Sequence, residues 1–331
     1  MAVFQDLALL SVSRLLPARV RVPVIIEMEE TPSRADISEL ADYNFTPIFE
    51  YKKFPFVSGL VSFKSLSLIK KLPHIRAVYL DKKQEIQIVP LKEILEKETG
   101  RGFAVKKVNE VAEFVKADLL WDEGYEGKGI KVAVLDTGVD PEHDMLKDAI
   151  KEAEYTISED PVDRQGHGTH VASTIAGRDA ESPLGPIRGI APEAEIYSIK
   201  VLGDDGKGSD SSVIAGIEKA IEYRVHIINM SLGSIFDTAG LDATARAIDI
   251  AQNLYGILCC VAAGNQFGWG TIGSPGSARG AVTIGSVATE KPRPYVVATF
   301  SSKGPTRDGR IKPDVAAPGG NLLRGNNEYI Y

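Results

Sequence analysis

The stretch Gly129-Ile-Lys-Val-Ala-Val-Leu-Asp-Thr-Gly138 decides the fold. Ile130 to Leu135 is a short apolar run bounded by glycines, which reads as a buried strand. Similar runs follow at Ile196-Tyr-Ser-Ile-Lys-Val-Leu, His226-Ile-Ile-Asn-Met, Gly256 to Ala262 and Ala281-Val-Thr-Ile-Gly-Ser-Val. Thr169 to Gly177, Ser212 to Tyr223 and Asp242 to Asn253 read as helices between them. Such alternation implies an α/β fold, a parallel sheet covered by helices on both faces.

In an open parallel sheet, functional groups gather at the carboxyl ends of the strands. Asp136 stands there, directly after Leu135. A carboxylate in that place suits phosphotransfer, metal binding or a proton relay. A dinucleotide-binding fold is disfavoured, because Gly124, Gly127 and Gly129 precede the strand, whereas phosphate-cradling glycines must follow it. The second motif is Gly166-His-Gly-Thr-His-Val-Ala-Ser-Thr-Ile-Ala-Gly177. Its glycines leave the face of His167 open, and the small residues that follow permit close helix packing. His170, one turn further on, reads as structural. Asp136 with His167 suggests an oriented base, in which the carboxylate fixes the ring tautomer and stabilises the imidazolium. The third motif, Val261-Ala-Ala-Gly-Asn265, closes another strand. The Asn265 amide there is either a turn former after Gly264 or a donor aimed into a cleft.

Toward the N-terminus the pattern changes. Val22 to Met28, Ile48 to Tyr51, Leu60 to Phe63 and Ile75 to Leu80 read as strands, with helices at Ser33–Leu40 and Ser65–Lys71. The order β-α-β-β-α-β is the ferredoxin-like arrangement. Four regions are therefore expected: an extension over 1–21, this unit over 22–89, a linker over 90–117 and a main domain over 118–331. Leu91 to Phe103 is charged and ends in glycines, which predicts a short solvated helix and an exposed site for processing.

Residues 1–110 carry 17 Lys and Arg against 14 Asp and Glu, and the remainder 21 against 31. Parts of opposite sign could attract. No dense basic run marks a nucleic-acid partner, and no apolar stretch is long enough to span a membrane. The first ten residues lack the basic start of a signal peptide. Cys259 and Cys260 are adjacent on a strand and point to opposite faces, so they read as small core residues.

Val134-Leu-Asp-Thr-Gly-Val-Asp, His167-Gly-Thr-His-Val-Ala and Ala262-Ala-Gly-Asn occur in that order. Asn229-Met-Ser-Leu-Gly, Phe300-Ser-Ser-Lys-Gly-Pro and Lys312-Pro-Asp-Val-Ala-Ala-Pro-Gly accompany them. Together they resemble the subtilisin-like serine proteases, and residues 22–89 resemble that family's inhibitory prosegment. The resemblance implies a subtilisin-like doubly wound sheet and endopeptidase chemistry without a cofactor. It implies that Asp136 orients His167, that His167 relays the serine proton, and that Asn265 donates to the oxyanion. It implies that Gly208, Ser209, Ser231, Leu232 and Gly233 pair with substrate backbone, and that Ala262, Ala263 and Gly264 wall a specificity pocket. Polypeptides would be the substrates, the prosegment an intramolecular inhibitor, and the location extracellular or at the cell surface.

Two departures follow. The family's Gly-Thr-Ser-Met-Ala segment should come after Ala317-Pro-Gly, and no serine here stands in that setting. The expectation is an incomplete, inactive zymogen, and its rival is a non-catalytic peptide binder or protease inhibitor. In the loop Arg178 to Ile187, which aligns with a frequent calcium site, Pro183 and Pro186 replace polar residues. A structural calcium would draw on Asp140, Asp144 or Glu181.

Overall fold

The computed structural model describes residues 3–4, 20–86, 108–157, 160–182, 185–235, 238–288 and 296–320. The helix expected from Leu91 and most of the N-terminal extension lie outside these residues.

The first unit comprises β1 (Arg21–Met28), α1 (Arg34–Asp42), β2 (Thr46–Glu50), β3 (Phe56–Ser62), α2 (Phe63–Ile69) and β4 (Ile75–Leu80). Its antiparallel sheet runs β4-β1-β3-β2, and Val3–Phe4 adds a parallel pairing beside β4. Ser33 caps α1 through a reciprocal pair with Asp36. The period of two divides β1 between two cores. Val22, Val24, Ile26 and Met28 pack with Leu40, Leu66 and Ile69 of the unit's own helices. Ile25 points the other way, joining Phe54, Phe56 and Tyr79 in a second core.

That second core continues into the main domain, against α6 (Asp210–Glu222) and α7 (Ala243–Tyr255). The unit therefore lies on the outer face of the helix layer. Carboxylates of both parts take part in the contacts between them: Glu218 of α6 accepts from Lys52 N and Lys53 N at 2.5 Å. Glu27 reaches Arg246 at 3.5 Å, and Asp81 accepts from Ser211 N at 2.9 Å at the start of α6. A carboxylate at a helix N-terminus satisfies an orphan amide and complements the helix dipole.

After β4 comes a strand that sequence reading missed, β5 (Lys83–Ile86). It lies antiparallel between β9 (Lys207–Ser209) and β11 (Leu232–Gly233). A helix, α3 (Val108–Val115), falls inside the expected linker, and a short α4 (Ala117–Asp122) follows. Val108, Val111, Ala112 and Val115 recur at helical spacing, and Val111 and Ala112 are buried.

The main sheet contains β6 (Lys131–Asp136), β7 (Ile150–Tyr155), β8 (Glu195–Lys200), β10 (Ile227–Met230), β12 (Leu258–Ala262), β13 (Ala281–Ala288), β14 (Val296–Val297) and β15 (Val315–Gly320). The order is β14-β13-β12-β10-β6-β8-β7, with β15 also beside β13, and every pair except β13–β14 is parallel. From β6 the chain builds β7 and β8 on one side and β10, β12 and β13 on the other. The carboxyl end of β6 is thus the switch point where open sheets place their sites.

Candidate active site

Asp136 ends β6, and α5 (His167–Ala176) begins with His167. The helix starts two residues earlier than its small-residue run suggested, because Gly166 adopts φ +96° and turns the chain into it. Gly168 lets α5 approach the end of β6. A Cβ there would lie 2.1 Å from the Gly138 carbonyl oxygen.

His167 Nδ1 and Asp136 Oδ1 are 2.7 Å apart. Asp136 is fully buried and its Oδ1 also accepts from Thr137 N at 2.8 Å. Burial alone pushes the His167 imidazole toward its neutral form. The hydrogen bond and charge of Asp136, with the charge of Asp163, outweigh this and raise its pKa above the ordinary value. Nδ1–H is committed to the carboxylate, so Nε2 is the atom left to take a proton. Among the described residues no hydroxyl is hydrogen-bonded to His167.

Asp163 was not singled out from the sequence, yet it joins the two motifs. Its Oδ1 accepts from Thr137 Oγ1, Gln165 N and Gly166 N at 2.8–2.9 Å, and its Oδ2 from Thr169 N and Oγ1 at 2.7–2.9 Å. The bonds from Thr169, Gly166 and Gln165 hold the carboxyl below the usual range despite its burial. A carboxylate four residues before His167, ahead of a glycine and a helix, was the available signal.

His167 lines a cavity of about 1530 Å³. Ser231, Ala262, Ala263, Gly264 and Asn265 line it too, as do Val171, Ile187, Ile284 and Phe300 and the chain from Ala317 to Gly319. Its walls are thus α5, the ends of β12 and β13, and β15. Asn265 and His167 both line this space. Gly208, Ser209, Leu232 and Gly233 instead flank β5, pairing with Gln84, Lys83, Ile86 and Glu85 in turn. Asp140, Asp144 and Glu181 all border the cavity, but they do not gather into a three-ligand group. Among the described residues the one such group is Asp36, Glu39 and His74, on the first unit.

The parallel sheet thus carries its Asp–His pair at the switch point, on a cavity that Asn265 also lines. The model of the subtilase family (peptidase S8) matches residues 127–330, and the chain belongs to that family. It is 36% identical over 281 residues to serine protease AprX of Bacillus subtilis, covering 80% of this chain and 59% of that protein. It is 33% identical over 301 residues to a thermostable alkaline protease of Halalkalibacterium halodurans, covering 90% and 72%. Fervidolysin from Fervidobacterium pennivorans, a keratinolytic enzyme, shares the fold at TM-score 0.66 and 24% identity, over 92% of this chain and 47% of that one. The chain thus spans about three fifths of AprX and half of fervidolysin. No described helix is long and apolar enough to cross a membrane.

Proposed function

We propose that the chain is the larger part of a subtilisin-like serine endopeptidase in its zymogen form. The observation that carries this reading is the 2.7 Å His167–Asp136 pair on the wall of a cavity shared with Asn265. In this reading His167 Nε2 takes the proton of a serine hydroxyl as that oxygen attacks the peptide carbonyl. Asp136 steadies the imidazolium, and the proton then passes to the leaving amine. The Asn265 amide donates to the oxyanion, a contribution of about 10²–10³ in turnover, which is the established magnitude for such a donor in subtilisin. Residues 22–89 act as the prosegment, of which 22–86 are described. They cover α6 and α7, and β5 occupies the slot between β9 and β11 in which a substrate strand would lie. The proposed place of work is outside the cell or at its surface, which a relative named as an extracellular protease supports, although another is named as intracellular. A structural calcium, if bound, would draw on Asp140, Asp144 or Glu181 and supply no step of the chemistry.

No serine in the 331 residues stands in the family's Gly-Thr-Ser-Met-Ala setting. The cavity beside His167 is open between α5, the end of β12 and β15. β15 delivers the chain to its rim at Gly319. A serine-bearing helix that follows β15, on this chain or on another, would fill the space and bring its hydroxyl to His167. Residues 1–331 alone are expected to hydrolyse no peptide, and to do so once such a segment is supplied. A chain that remains inactive with the segment bound would refute the reading.

A further inference from the structure

We propose that the cleft selects peptide strands carrying a carboxamide side chain at the place of Gln84, and that Asp210 is the selecting group. This rests on the reading of β5 as an occupant of the substrate slot. Side chains alternate along β5, with Lys83 and Glu85 exposed and Gln84 fully buried. Gln84 points at the start of α6, where its Nε2 donates to Asp210 Oδ1 at 2.6 Å. Asp210 Oδ1 also accepts from Thr244 Oγ1 at 2.8 Å, on α7. The pocket therefore offers a buried polar floor where an apolar side chain would leave Asp210 without this partner.

The charge state fits an amide. Asp210 is almost fully buried, and the charges bearing on it most are those of Asp242 and Asp81, both negative. Burial first, and then these neighbours, push its pKa up to about 8. This favours the neutral acid, whose Oδ1 accepts from the Gln84 amide and whose Oδ2 accepts from Lys82 N at 3.3 Å. A carboxamide supplies the N–H that Asp210 Oδ1 accepts, while Gln84 Oε1 is buried with no hydrogen-bond partner. A carboxylate side chain in that place would add a fourth acidic group to the cluster. A lysine would have to form a buried ion pair, which repays its desolvation only in very good geometry.

The test uses the full chain and the exchange protection of the Glu85 and Ile86 amides at pH 7, which reports docking of β5 whether or not the protein hydrolyses anything. Gln84→Leu should lower protection about tenfold and Gln84→Glu about a hundredfold, because each strands a buried polar group. Asp210→Asn should keep most of it, since two amides also pair. Protection in Gln84→Leu or Gln84→Lys equal to the native value would overturn the proposal. In the protein completed with a serine-bearing segment, kcat/KM should favour Gln over Leu at that position by at least about tenfold. Equal rates would also overturn it. Absence of any hydrolysis would count against the proposed function, leaving the exchange result to decide this point.

Discussion

Replacing Gly168 by alanine tests how α5 positions His167. The added Cβ would sit 2.1 Å from the Gly138 carbonyl oxygen and 3.2 Å from Asp136 Cβ, where ordinary contact begins near 3.4 Å. The helix must retreat from the end of β6 by about 1.3 Å along that contact. A shift of that size would stretch the 2.7 Å His167–Asp136 bond beyond hydrogen-bonding reach. Overpacking of this kind costs about 1–3 kcal/mol. The sharper readout is His167 itself. With the carboxylate out of reach, burial becomes the dominant influence and the imidazole pKa should fall from above its ordinary value to below it. Histidine NMR titration of the full chain follows this directly, with urea unfolding alongside. A variant whose His167 titrates as in the native chain, and whose stability changes by less than about 0.5 kcal/mol, would refute the packing argument.

Other perturbations separate the remaining links. Asp163→Ala strands five donors around the His167 loop, and should cost about 2–4 kcal/mol and lower the His167 pKa, read by the same titration. Phe54→Ala opens the core between the first unit and α6, with an expected loss of about 3–5 kcal/mol by urea unfolding and earlier exchange of β5 amides. The pH dependence has a defined sign. The His167 pKa is raised on folding, so its pairing stabilises the protein fully below the unfolded value of 6.5, and that stability is lost as pH rises through the folded value. Activity of the completed enzyme should rise through the same folded-state pKa, because only neutral His167 accepts a proton.

The parallel sheet and both site motifs were legible because buried strands such as Lys131–Asp136 are apolar and end in unusual glycine settings. The strand at Ile150–Tyr155 was not, since Lys-Glu-Ala-Glu at an exposed edge carries no apolar pattern. β5 was equally hidden. Lys83 to Ile86 forms a strand only because β9 and β11 offer it two edges, a contact between residues more than 120 apart. Element starts moved for local reasons. Capped by Ser62, α2 starts two residues before the expected start, and Asp210 precedes the apolar face of α6 that marked that helix. The role of Asp163 lay in hydrogen bonds between loops, which periodicity does not record.

Peptide hydrolysis by residues 1–331, with and without a separately supplied serine-bearing segment and each with a His167→Ala control, tests the central claim. The expected result is no turnover from 1–331 alone, turnover when the segment is bound, and its loss in the control. Turnover by 1–331 alone that disappears in His167→Ala would place the nucleophile within these residues, and the assignment of the cavity to a serine-bearing helix would be wrong.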